Sequence, residues 1–311
     1  MNKKEKIVNY FRQGTLFYLL KTKISFNFFN LITKNKNATT YLLQCRNYEK
    51  LKKKFEYILK EPITIKKNKK QHSKKIWFCW LQGYENAPDL VKACYNSLKI
   101  NMPDYEIIFL TEKNINNYVE FPNYINKKYK SGNINKVQLS DLLRISLLCK
   151  HGGLWIDSTV LCTSPDFIKI ISQEPLFVYK QLDLIRQDIQ PIVASSWLIY
   201  AESNNEICLL TQKLLFEYWK KYNYAIDYFI FHFFFAMATE KYSDMWDSIP
   251  VFNNVNPHVM QFELNHKFSP ERWNQLKECS SFHKLNHHFK YNSNCTIYFH
   301  ILDEYRKNED K

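Results

Sequence analysis

The stretch VQLSDLLRISLLCKHGGLWIDSTV, residues 137–160, decides how the rest of the chain is read. Leu139, Leu142, Leu143, Leu147 and Leu148 recur at helical spacing, so residues 137–150 are predicted to form a helix with one buried stripe. His151-Gly152 supplies the C-terminal stop, since glycine reaches backbone angles that end a helix cheaply. Gly152-Gly153 then turns the chain tightly into Leu154-Trp155-Ile156, a short apolar strand. Asp157 follows at the carboxyl end of that strand, where open α/β sheets bind their ligands. A carboxylate there can hold a divalent ion bridging a diphosphate, or contact ribose or sugar hydroxyls. Asp141 and Arg144, three apart on the helix, project towards the same end and can hold a sugar. The same spacing equally makes an ordinary salt bridge.

Working outward, Ile76–Leu81 (IWFCWL) reads as a buried strand and residues 88–100 (PDLVKACYNSLKI) as a helix with proline in its first turn. Glu106–Leu110 (EIIFL) is a second strand, followed by a short helix over 112–118. Strand, helix, strand, helix in this span predicts a parallel, Rossmann-like sheet. Helices are expected over 206–221 and 226–239, and an irregular region over 253–285. Upstream, residues 1–60 read as two or three helices broken near 35–40, and 62–75 as a basic linker. The expected division is a basic helical extension with its linker, 1–73, and one α/β domain, 74–311.

The 311 residues are 45% hydrophobic, enough for a sizeable core, and include only 5 glycines against 21 Tyr and 23 Phe. Propellers and jelly rolls, which need many glycine-rich turns, are excluded. The charge is lopsided. Residues 1–75 hold 20 Lys and Arg against 4 Asp and Glu, whereas the remainder is nearly neutral, so the net +14 sits on the extension. Such an arm suits nucleic acid or an anionic membrane, and its aromatic and aliphatic residues (Phe11, Phe17, Leu20, Phe26, Phe28) favour the membrane. No run reaches the length of a spanning helix, and Arg12-Gln13 interrupts the only candidate for a signal peptide. Eight cysteines without a CxxC pair point to free thiols in a reducing compartment, hence to a cytoplasmic protein resting on the inner face of a membrane. Dinucleotide, P-loop, zincin and nucleophile-elbow fingerprints are all missing.

Several motifs in one order now carry a resemblance: KIWFCWLQG (75–83), SDLLR (140–144), GGLWIDST (152–159), SSWLI (195–199), DYF (227–229), FNNVNPHVMQF (252–262) and SFHKL (281–285). Over roughly residues 74–290 the chain resembles the capsular polysaccharide synthesis protein family, relatives of glycosyltransferase family 32 and, more distantly, of the glucosylating clostridial toxins. The resemblance implies a GT-A fold, a Rossmann-like mixed sheet flanked by helices. It also implies a nucleotide-sugar donor, most often a UDP-hexose, and transfer with retention to a glycan in capsular or surface polysaccharide synthesis; the basic arm, docked on an anionic membrane, makes a lipid-linked glycan the expected acceptor. Carried over by residue, Trp80 would stack on the donor base, while Asp141 and Arg144 would grip the donor sugar. Asp157 would open the acidic Asp-x-Asp motif, His283 would close the metal site, and Lys284 would face the diphosphate. Asp227 would orient the acceptor or support the transition state, or else cap the helix after it.

The motif departs from its usual form, reading Asp157-Ser158-Thr159. Mn²⁺ and Mg²⁺ prefer carboxylate and water oxygens to a threonine hydroxyl. Two arrangements stay open: Asp157 and His283 hold the ion with water, or Lys284 and Arg144 neutralise the diphosphate. Two other functions also stay open, a protein-glycosylating enzyme and a non-catalytic protein binding phosphate or nucleic acid through the basic arm.

Overall fold

The structure is a computed structural model, and it describes residues 10–11, 13–63, 73–181, 191–291 and 294–306. Arg12 and residues 64–72 of the expected linker lie outside the described residues.

The chain opens with helices α1 (Leu16–Thr33), α2 (Lys36–Lys54) and α3 (Glu56–Lys60). Asn35 separates the first two, its side chain accepting from the N–H groups of Asn37 and Ala38 at 2.9 and 3.2 Å and so capping α2. These helices are docked on the main domain. Tyr48, Leu51, Phe55 and Ile58, spaced by three and four, are buried in the common core. Tyr18 stacks on Tyr224 with ring centroids 3.8 Å apart and donates to the Ile226 carbonyl at 2.6 Å. The packing unit therefore begins well before residue 73.

The main domain runs through β1 (Lys75–Cys79), α4 (Asp89–Asn101), β2 (Glu106–Leu110), α5 (Asn123–Lys130), α6 (Lys136–His151), β3 (Gly153–Ile156), β4 (Val160–Cys162), α7 (Asp166–Ile171), β5 (Leu176–Lys180) and β6 (Ala194–Ala201). It continues with α8 (Glu206–Lys221), α9 (Ile230–Lys241), α10 (Ser243–Ser248), α11 (Asn256–Glu263), α12 (Pro270–Cys279), β7 (Phe282–Lys284) and α13 (Ile297–Arg306). Five strands form the central sheet in the order β2-β1-β3-β6-β5. The first three are parallel, as the strand–helix alternation predicts, while β6 and β5 run antiparallel to their neighbours. The sheet is thus mixed and flanked by helices, the architecture expected. Between β2 and α5 only one 3₁₀ turn forms, at Ile115–Asn117, where the sequence predicted a short helix.

Residues 253–285 are ordered, not irregular. Pro257 lies in the first turn of α11, and Ser269 caps α12 ahead of Pro270, accepting from the Arg272 N–H at 3.2 Å. β7 then pairs antiparallel with β4, matching Val160 to Lys284, Leu161 to His283 and Cys162 to Phe282. This small sheet brings the late SFHKL motif beside Asp157.

The glycine pair works by close approach as well as by turning. Gly152 and Gly153 have φ of 65° and 97°. A Cβ on Gly153 would lie 2.4 Å from the Lys75 carbonyl oxygen, and one on Gly152 would lie 2.9 Å from that of Ala201. Only glycine lets β3 leave α6 and enter between β1 and β6.

Candidate active site

The carboxyl ends of β1 and β3 open into a cavity of about 460 Å³. Trp80, Asp141, Arg144, Asp157 and Lys284 all line it, brought together from a strand end, a helix, a second strand end and the small sheet. Asp157 is at the centre. Its backbone N–H donates to the Trp197 carbonyl at 2.8 Å, which fixes the strand end. Its Oδ1 accepts from Arg144 Nη2 at 3.1 Å and from Trp155 Nε1 at 3.2 Å, and its Oδ2 from Lys284 Nζ at 2.9 Å. Burial opposes its charge, but Lys284 and Arg144 outweigh burial and hold the carboxyl down at about 2.

Arg144 also donates to Asp141 Oδ1 at 2.8 Å, so the helix pair predicted from spacing does form and is buried. The guanidinium lies over the rings of Trp155 and Phe231, at 5.0 and 5.2 Å. Asp141 is pushed up to about 6 by burial, with Arg144 pulling the other way. The cluster is two cations and two carboxylates, arranged so that the cations reach the cavity. Trp80 sits just beyond β1, half-buried, with its indole N–H unpartnered and its ring edge-on to His287 at 5.5 Å.

Two expected residues are absent from the cavity lining. His283 precedes Lys284 in β7, and successive strand residues face opposite ways. With Lys284 turned to Asp157, His283 is turned into the core, fully buried, its Nε2 3.1 Å from Thr163 Oγ1 and its Nδ1 unpartnered. Burial lowers it to about 4, so it is neutral there. Asp227 belongs to a second cavity against the N-terminal helices, and its Oδ1 accepts from the Phe229 N–H at 3.0 Å. That bond delays α9, which starts at Ile230 and not at residue 226. Its neighbour Tyr228 lines the main cavity instead, with His232 one turn further along. Ser196 lines it too, as do His287 and His288, the two histidines that follow His283 closely in the sequence. Both misplacements are errors of one residue, which sequence alone resolves only when strand parity or helix start is known.

The residues present do not fit the divalent ion that the resemblance implies. Of the motif's two carboxylates one remains, and both its oxygens already face cationic or N–H donors. Thr159 Oγ1 accepts from Lys284 Nζ at 3.0 Å, so the ammonium bridges the first and third motif positions. His283 points away. Among the described residues no group of three His, Cys, Asp or Glu side chains is placed to hold a metal. Cys79, at the cavity wall, is a half-buried thiol that desolvation pushes up to about 12, and it is no nucleophile at neutral pH.

A sequence model described as "Capsular polysaccharide synthesis protein" matches residues 45–302, beginning inside α2. Among curated proteins, the O-glycosyltransferase braB of Annulohypoxylon truncatum is 30% identical over 108 residues, 32% of this chain and 24% of that protein. The match thus spans about a quarter of that relative's length. Among solved structures, the PaToxG glycosyltransferase superposes with a TM-score of 0.38 at 13% identity, covering 78% of this chain and 87% of that one.

Proposed function

The chain belongs to the capsular polysaccharide synthesis protein family, and from that premise we propose that it is a glycosyltransferase moving a hexose from a UDP-sugar to a glycan acceptor with retention of configuration. The observation that carries the proposal is the Arg144–Asp157–Lys284 bridge at the carboxyl end of β3, on the wall of a cavity that Trp80 also lines. In this reading the uracil ring stacks on Trp80 and the diphosphate exchanges into the Lys284 and Arg144 donors. Asp141, above about pH 6, accepts from donor-sugar hydroxyls.

When the C1–O bond breaks, negative charge grows on the departing diphosphate. Lys284 and Arg144 are already fixed in place by Asp157, so stabilising that charge costs little reorganisation. Retention needs no strong protein base, because the departing phosphate takes the acceptor proton. The Asp157 carboxylate acts by positioning the two cations.

The acceptor is proposed to be lipid-linked and reached at an anionic membrane. Among the described residues no helix is long and apolar enough to cross a bilayer. α1, however, exposes Phe17, Leu20, Ile24, Phe28 and Leu31 along one stripe, beside Lys21 and Lys23. An apolar helix surface flanked by lysines suits the headgroup layer.

The test is Asp157→Asn, which keeps size while removing the charge that aligns both cations. Transfer from a UDP-sugar should fall by ~10²-fold or more with the melting transition retained. A folded Asp157→Asn protein that transfers at the native rate would remove the basis of the proposal.

A further inference from the structure

The second cavity, of about 270 Å³, lies between α1, α2 and the segment 224–227. It joins three cations to an apolar wall. Lys21 comes from α1, and Arg46 and Lys50 come from successive turns of α2. Among the described residues no ion pair engages any of the three. The opposing charge in the lining is Asp227 alone, whose carboxylate accepts from the Phe229 N–H and also from Asn47 and the Tyr228 N–H. Three cations against one carboxylate leave two net positive charges, the complement of a diphosphate joining an apolar chain to a sugar, with one negative charge on each phosphate. Phe26, Leu43 and Ile226 supply the apolar side. A free inorganic anion makes no use of that side, whereas an amphiphile does.

Position ties this cavity to the larger one. Asp227 lines the second cavity and Tyr228 lines the first. Consecutive residues are about 3.8 Å apart at Cα, so the two spaces lie on either side of one short stretch of backbone. The helix bearing Tyr18, Lys21 and Phe26 on the cavity side carries the exposed Phe17, Ile24 and Leu31 elsewhere on its surface.

We infer that the second cavity binds the phosphate-bearing end of an amphiphilic acceptor, the phosphate held by Lys21, Arg46 and Lys50 while the sugar to be extended passes Tyr228 towards Asp157. The assignment rests on the reading of the larger cavity as the donor site. It makes the N-terminal helices part of the acceptor site and not only a tether.

Calorimetric titration of the full chain with dodecyl phosphate, below its micelle concentration, tests it. The native protein should bind, and Arg46→Gln/Lys50→Gln should bind at least ~10-fold more weakly, the loss of a charge-assisted contact or two. Phe26→Ser should weaken binding as well, which inorganic phosphate should not feel. Should the double variant fail to fold, Lys21→Gln alone supplies the charge test. Unchanged affinity in a folded charge variant would overturn the site. Equal binding of dodecanol would overturn the phosphate's part, and equally tight inorganic phosphate would overturn the amphiphile's. Asp157→Asn should bind dodecyl phosphate as tightly as the native chain. A wrong donor assignment therefore shows in transfer by Asp157→Asn, and a wrong acceptor assignment in titration of the arm variants.

Discussion

Replacing Lys284 by methionine keeps an unbranched side chain as far as Cε and removes the ammonium that bridges Asp157 and Thr159. In the native cluster two cations balance Asp141 and Asp157. The variant leaves Arg144 alone against both carboxylates, at the point where the proposed function puts the diphosphate. An ammonium about 3 Å from a phosphate oxygen is worth roughly 5 kcal/mol at the effective dielectric of a partly buried site. Part of this is offset because the ammonium stays shared with Asp157, so a net loss of about 3–4 kcal/mol, or 10²–10³ in kcat, is expected. Stability should move too. Lys284 and Arg144 hold the Asp157 carboxyl at about 2 against an unfolded value near 4, so the carboxylate stabilises the fold above about pH 4 and loses that effect as pH falls towards 2. Without Lys284 up to about 2 kcal/mol is lost at neutral pH, and the gap between the two melting curves should close on acidification. The assay is donor hydrolysis and transfer, read beside the melts, with native enzyme exhaustively chelated in parallel. Chelated native enzyme should keep its turnover, because the ammonium supplies the neutralising charge. A folded Lys284→Met enzyme with native kcat, or a native enzyme silenced by chelation and restored by Mn²⁺, would refute the reasoning.

Three further outcomes are expected. Trp80→Ala should lose the fluorescence quench on UDP-sugar binding and weaken the donor by roughly 1–3 kcal/mol, the range for base–aromatic stacking; undiminished affinity by titration would displace the base site. The chain should float with anionic but not neutral vesicles, less so in high salt, at about 1 kcal/mol per basic residue near the surface. Phe17→Glu/Ile24→Glu should abolish flotation, and binding that ignores both lipid charge and these residues would end the membrane reading. Burial holds His232 and His283 at about 4 against an ordinary 6.5, so the unfolded chain takes up their protons first and stability should drop as pH falls from about 6.5 to 4. His283→Gln should flatten that dependence in urea titrations, and an unaltered pH profile would show that His283 is not the buried neutral group described.

The helix–glycine–strand passage was legible because each of its steps has a separate physical cause: a 3.6 period, a glycine stop, an apolar run and a carboxylate at its end. Strands β5 and β6 gave no such pattern. LFVYK is buried on both faces, and ASSWLIYA is buried over its last five residues, so neither alternates cleanly. Composition hid the docking of the N-terminal helices. The basic excess separated residues 1–73 from the rest, yet Tyr48, Leu51, Phe55 and Ile58 carried the period of a packed helix within that same basic stretch. Charge outside and an apolar seam inside coexist on one helix, and net charge hides the seam. At the site, residue types were readable and parity was not. The three-residue strand β7 sends Lys284 one way and His283 the other, and a bond from Asp227 to the Phe229 N–H moves the helix start past Tyr228.

The backbone contact at Gly153 bears on how this protein can change over generations. Asp157 owes its place to two positions with no side chain, one of them pressed against the Lys75 carbonyl, and not to the size of any particular filling. Apolar fillings of the sheet such as Leu154, Ile156 or Ile199 can drift to other apolar shapes, each at a modest cost, while the carboxyl end of β3 stays where it is. A single methyl group at Gly153 has no such latitude, because a backbone oxygen cannot step aside as a side chain can. The least conspicuous residues of the chain are thus the ones through which its activity is most easily extinguished.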